Sequence, residues 1–215
     1  MQLTKYGHSC VRIDDGARSI TFDPGAFSSV EQALDGVQAV VVTHEHFDHV
    51  DSERITAALG ADPRLQLFAP ASVASGFAQF GEQVAAVGPG QTFEAAGFTF
   101  ETFGGQHALI HPLIPVIVNV GYVVDGLVCH PGDSFVVPPR PVDTLLLPAV
   151  APWSKVSEVI DYTVAVRAPH VLPIHDHLVI DAYSGVLRNN LVPIVEPFGV
   201  EFGTFAETVT VRSVT

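Results

Sequence analysis

Positive charge is the scarcest property of this chain. Of 215 residues only 10 are Lys or Arg, against 23 Asp or Glu, for a formal net charge of −13. The basic residues are scattered singly from Lys5 to Arg212. Such a surface repels phosphate backbones, so no nucleic-acid or anionic-membrane partner is expected. Cysteine is nearly absent: Cys10 and Cys129 each sit in an apolar stretch, with no Cys or His at zinc-finger spacing. They read as buried free thiols rather than a disulfide. No stretch approaches the roughly 18 apolar residues that a membrane span requires. Met1-Gln2-Leu3-Thr4-Lys5 has no apolar signal core, so the expected location is cytoplasmic. Ser/Gly linkers, low-complexity tracts and short repeats are also missing, which implies one domain over 1–215.

Apolar material, by contrast, is plentiful. Hydrophobic residues make up 47% and charged residues 15%, enough for a substantial core and compatible with a homo-oligomer interface. Val11 and Ile13 alternate with polar residues before an Asp14-Asp15-Gly16 turn. Val37 to Val42 reads as a buried strand, and helices are expected over Ser52 to Leu59 and Ala71 to Phe80. Strands return between 84 and 130, including Val116 to Val124. Thr144 to Leu147 and Val171 to Ile174 are further strands. Ser154 to Val166 reads as a helix capped by Ser154, with Val156, Val159, Ile160 and Val164 on one stripe. The tail from Val209 to Val214 begins as a strand. Strands with a few helices, then the same again, suggest two sheets packed face to face with helices outside.

The chemistry concentrates in His44-Glu45-His46-Phe47-Asp48-His49, directly after the strand ending at Val42. In extended chain i and i+2 share a face, so His44 and His46 point one way. The chain must then turn toward the Ser52 helix, which lets Asp48 and His49 approach from a second direction. Imidazole and carboxylate suit Zn²⁺, with Mn²⁺ or Fe²⁺ as alternatives. Six residues cannot complete two metal sites alone. Candidates for the remainder follow apolar runs: His107 after Phe103-Gly104-Gly105-Gln106, Asp133 in His130-Pro131-Gly132-Asp133-Ser134, and His175 after Val171 to Ile174. His111 rivals His107, and His177 rivals His175.

These residues resemble the metallo-β-lactamase superfamily over nearly the whole chain. The family draws its ligands from an H-x-H-x-D-H run, a distal His, an Asp often preceded by Gly, and a final His. Gly7-His8-Ser9-Cys10 and Pro173-Ile174-His175 are similar to the small-hydrolase branch that contains ascorbate-6-phosphate lactonases. The resemblance implies an α+β fold, a four-layer αββα sandwich. It implies one metal on His44, His46 and His107 and a second on Asp48, His49 and His175, with Asp133 bridging. It favours the earlier residue of each rival pair. Asp23, in Asp23-Pro24, would support a ligand imidazole from behind.

The expected function is that of a metal-dependent hydrolase. A metal-bound hydroxide would cleave a small ester, lactone or phosphate ester, with Asp48 orienting it or shuttling its proton. His8 is a candidate substrate contact. Trp153 and Lys155 are candidates for a substrate lip, with Lys155 attracting an anionic group. A mononuclear iron dioxygenase of the same fold is the alternative, and a nuclease or phosphodiesterase is a third option that the −13 charge disfavours.

Overall fold

The computed structural model describes residues 1–205 and 208–211. The first half contributes strands β1 (Gln2–Lys5), β2 (Val11–Asp15), β3 (Arg18–Phe22), β4 (Ala39–Val41), β5 (Gln66–Ala69) and β6 (Val84–Ala86). Helices α1 (Val30–Leu34), α2 (Ser52–Ala61) and α3 (Ala71–Ala74) lie between them. The second half runs β7 (Thr92–Ala95), β8 (Phe98–Gly104), β9 (Val120–Val124), β10 (Val128–His130), β11 (Thr144–Pro148) and α4 (Val156–Val166). It ends with β12 (His170–Ile174), α5 (Asp181–Val195), β13 (Glu201–Phe202) and β14 (Val209–Thr210). Two seven-stranded sheets result, ordered β14-β1-β2-β3-β4-β5-β6 and β13-β12-β11-β10-β9-β8-β7. Among the described residues no helix is long and apolar enough to cross a membrane.

Alternation along the strands makes the layers. In β2, Val11 and Ile13 are buried while Arg12 and Asp14 face outward, and Ile13 pairs with Ile20 of β3. Leu3, Ile13, Ile20 and Phe22 from the first sheet meet Phe98, Phe100, Tyr122 and Leu146 from the second in one central cluster. The opposite face of the first sheet offers Val40 and Leu67 to Ile55 and Leu59 of α2. The opposite face of the second offers Leu145 and Val171 to Val159 and Tyr162 of α4, and to Leu187 and Leu191 of α5. Helix, sheet, sheet and helix therefore stack as an αββα sandwich, the architecture that the sequence resemblance implies.

Several boundaries differ from the sequence expectation. Helix α2 does begin at an acidic cap, with the Asp51 carboxylate accepting the Arg54 N–H at 3.0 Å. Ser154, however, does not cap α4. Its hydroxyl turns back to Ala151, and Lys155 is the cap residue, its N–H donated to the Glu158 carboxylate at 2.9 Å. The expected strand from Val116 starts only at Val120, because residues 108–118 form a loop. The helix expected to Phe80 ends at Ala74 and continues as 3-10 turns broken at Phe77 and Gly81. Helix α5 has no counterpart in the sequence reading, since Gly185 and Pro193 interrupt its helical signal. The tail strand is Val209–Thr210, paired with β1; residues 212–214 of the expected strand lie outside the described residues.

Candidate metal centre

Five loops build the centre, following β1, β4, β8, β10 and β12. They bring together two groups of side chains, His44, His46, His107 and Asp133, and His8, Asp48, His49 and His175. Within each group the donor atoms all lie within 4.8 Å of one another. Asp133 joins the two. Its Oδ2 is 3.3 Å from His107 Nε2 and 3.0 Å from His175 Nε2, and its Oδ1 is 3.2 Å from His49 Nε2.

Three of the imidazoles are committed on their far side. His49 Nδ1–H donates to Asp23 at 2.7 Å, His107 Nδ1–H to the Ala108 carbonyl at 2.6 Å, and His175 Nδ1–H to the Val150 carbonyl at 2.7 Å. These partners fix the tautomers and leave each Nε2 with a bare lone pair. His49 Nε2, His107 Nε2, His175 Nε2 and Asp133 Oδ1 are buried with no hydrogen-bond partner. Lone pairs facing a carboxylate at 3.0–3.3 Å repel unless a proton or a metal cation lies between them. The donor set thus fits a metal ion by its own geometry.

Backbone conformation sets these donors. Asp23 and His175 both hold positive φ, at 44° and 60°, where non-Gly residues are uncommon. Asp23 also accepts the Thr43 N–H at 2.8 Å and the Thr43 hydroxyl at 2.7 Å, so it anchors the residue preceding His44. Gly25 presses on the same loop: a Cβ there would lie 1.9 Å from the Asp48 carbonyl oxygen. Gly132, with φ +63°, lets the chain pass Asn119, whose Oδ1 a Cβ would meet at 2.2 Å. Asn119 Oδ1 in turn accepts the Asp133 N–H at 2.9 Å.

The charges are mutually tuned. Burial disfavours the imidazolium of His49, but the Asp133 and Asp23 carboxylates outweigh it and raise its pKa well above the ordinary range. Burial also opposes the charge on His175, yet its contact with Asp133 raises it. For Asp133 burial favours the neutral acid, and the surrounding histidines, His49 foremost, hold it well below the usual carboxylate range. Burial and the neighbouring His49 push His44 far down, and burial and His107 lower His46. Burial pushes Asp48 upward, but the His8 hydrogen bond and the His49 charge bring it to about 2.

All seven sequence-predicted ligand positions enter the cluster. The rivals do not: His111 is exposed and accepts the Leu113 N–H, while His177 is exposed and stacks on Phe27. His8, expected at the substrate, instead lies inside the cluster, its Nε2 3.0 Å from Asp48 Oδ2. Trp153 reaches the centre by donating its indole N–H to Asp133 Oδ2 at 3.0 Å. Lys155 does not; its exposed ammonium faces Glu158, because it caps a helix that leads away from the site. Sequence reasoning missed Asn119 and the carbonyls of Ala108 and Val150. Backbone acceptors have no residue signature. His130, read as structural, accepts the Gly132 N–H at 3.2 Å and so braces the Asp133 turn.

The comparisons with known proteins show the family and the fold. Residues 2–175 match the beta-lactamase superfamily domain, and the chain belongs to that family. It is 40% identical over 196 residues to Protein Rv0786c of Mycobacterium tuberculosis, covering 89% of this chain and 91% of that one. It is 31% identical over 118 residues to a UPF0173 metal-dependent hydrolase of Chelativorans sp., covering 50% and 49%. In fold it is similar to Igni18, a metallo hydrolase of Ignicoccus hospitalis, with TM-score 0.74, 22% identity and 99% of each chain covered.

Proposed function

We propose that this chain is a metal-dependent hydrolase, with zinc as the ion, that cleaves a small ester or lactone. The observation that carries the reading is the convergence of four unpartnered buried atoms, His49 Nε2, His107 Nε2, His175 Nε2 and Asp133 Oδ1. His44, His46 and His107 would hold one ion, and Asp48, His49 and His175 a second, with Asp133 shared. A nitrogen-rich set with two carboxylates suits Zn²⁺ ahead of harder cations. Such ions supply Lewis acidity and make hydroxide available near neutral pH.

The chain's own residues do the rest. Asp48 is half-buried and ionised at neutral pH, so it can accept a hydrogen bond from an incoming water and orient it. Trp153 fixes one oxygen of Asp133, and Asp23 fixes His49. The resemblance of the matched domain and the hydrolase relatives support the reaction class.

The test is metal analysis of protein purified without chelator, followed by a panel of lactones, thioesters and phosphodiesters after loading with Zn, Mn or Fe. Metal-dependent ester or lactone hydrolysis, abolished in His46→Ala and Asp133→Ala, is expected. Turnover retained in either variant would overturn the assignment. Oxygen uptake by the iron-loaded protein without hydrolysis would replace it with the dioxygenase reading.

A further inference from the structure

A cavity of about 530 Å³ opens beside the metal centre, between the end of β1, helix α5 and the end of β13. That is within the size range of small-ligand sites. Leu187, Phe202 and Phe205 give it apolar walls, and Lys5 and Arg188 bring two cations to it. In a chain with a net charge of −13 and only 10 basic residues, this is a local reversal of sign. Arg188 donates one N–H to the Phe202 carbonyl at 3.0 Å, which leaves the other N–H groups of its guanidinium for a ligand. Among the described residues, Arg188 and Arg167 alone of the Lys and Arg side chains have no carboxylate within ion-pair reach. Lys5 holds Asp176 and the Pro173 carbonyl, and the third N–H of its largely buried ammonium has no partner among the described residues.

The charges of Lys5 and Asp176 cancel, so with neutral imidazoles the lining carries one net positive charge, from Arg188. That matches a monoanion. A dianionic phosphate would bring its second charge toward the Asp176 carboxylate. The cavity touches the metal centre only from behind. His8 is the one member of the cluster that lines it, and Val150, also in the lining, accepts the His175 Nδ1–H at 2.7 Å. None of the seven candidate ligands lines it, so an occupant would be held by protein groups rather than by an ion.

We propose that this cavity is a binding site for a small monocarboxylate with an apolar body. The carboxylate lies between Lys5 and Arg188, and the body lies against Leu187, Phe202 and Phe205. The site goes beyond the hydrolase reading and does not depend on it, since it uses no metal ligand. Direct coordination of a carboxylate by a metal ion is the rival account of such binding.

The test is calorimetric titration of the metal-loaded protein, and of the same protein after chelation, with straight-chain carboxylates from butanoate to octanoate. Octanamide and dianionic octyl phosphate are the comparison ligands. Affinity should rise about two- to fourfold for each added methylene, and chelation should leave it unchanged. Arg188→Gln, an exposed position on α5, should weaken octanoate about five- to tenfold, the worth of a partly exposed charge-assisted hydrogen bond. It should leave octanamide unaffected. Arg167→Gln removes the other cation without a carboxylate partner, away from the cavity, and should change neither. Octanamide or octyl phosphate binding as tightly as octanoate would overturn the proposal. So would octanoate affinity that is flat in chain length or unchanged in Arg188→Gln. Octanoate binding that disappears on chelation, in protein with an unchanged circular dichroism spectrum, would place the carboxylate on the metal and overturn it too. No turnover enters these measurements, so failure of the hydrolase reading would leave them unmoved.

Discussion

His8 donates to Asp48: Nε2 of the buried ring lies 3.0 Å from Oδ2 of the carboxylate. The far nitrogen, Nδ1, accepts the His177 N–H at 3.4 Å, and the His8 carbonyl accepts the His175 N–H at 3.1 Å. An Nδ1 that accepts leaves the proton on Nε2. His8 therefore carries the opposite tautomer to His49, His107 and His175, and under the proposed assignment it donates to the candidate ligand Asp48. It also ties the loop of the first sheet to the His175 turn of the second.

That relationship separates two substitutions. His8→Gln keeps an amide N–H near the position of Nε2 and should retain metal stoichiometry and most activity. His8→Ala should lose about 10- to 100-fold in activity, the usual cost of removing a partner behind a metal ligand. Metal content and kcat of both variants are the measurement. Loss of one metal equivalent in His8→Gln would show that the ring is itself a ligand.

Acid should empty the two metal positions in sequence. A ligand imidazole must be neutral, so protons compete most where the folded pKa is raised. His49 and His175 are raised by Asp133, whereas burial lowers His44 and His46. As pH falls, the Asp48, His49 and His175 position should release its ion first, and the His44, His46 and His107 position should follow at lower pH. Metal per chain after dialysis at steps from pH 7 to 5 should pass through a plateau near one equivalent. Loss of both ions in a single step would contradict the assignment of the ligands to two positions.

Gly25→Ala should be among the most costly single substitutions in the chain. The added Cβ would sit 1.9 Å from the Asp48 carbonyl oxygen, which neither backbone can accommodate without moving. The 24–26 segment also backs the metal loop through the Ala26 N–H to the Phe47 carbonyl and the Asp51 N–H to the Pro24 carbonyl. A loss of about 3 kcal/mol in urea unfolding, with weaker metal binding, is expected. A change within about 0.5 kcal/mol, the range of inert surface sites, would rule out the collision.

Neither thiol should react in the native protein. Cys10 and Cys129 are free and buried, and burial pushes both thiols well above their ordinary range, so thiolate is scarce. A thiol-reactive chromogenic disulfide should label neither cysteine before denaturation and both after it. Rapid labelling of either in the folded protein would contradict its burial.

The sequence by itself determined the candidate ligand types and their order along the chain. His44 to His49 form a compact pattern beside a strand, and His107, Asp133 and His175 each follow an apolar run, so local periodicity was enough to mark them. It also determined the layering, because alternation in strands such as β2 and stripes in helices such as α4 are local properties. What it left open required distance across the fold. His8 pairs with Asp48 over 40 residues, and Trp153 reaches Asp133 over 20, while Lys155, two positions further on, turns away. Side-chain direction there follows from the helix cap at Lys155 and from the positive φ of His8, 45°, set by tertiary packing rather than by residue type. Helix α5 was hidden for a related reason. Gly185 and Pro193 weaken its intrinsic signal, and burial of Leu187, Leu191 and Val195 against the second sheet stabilises it.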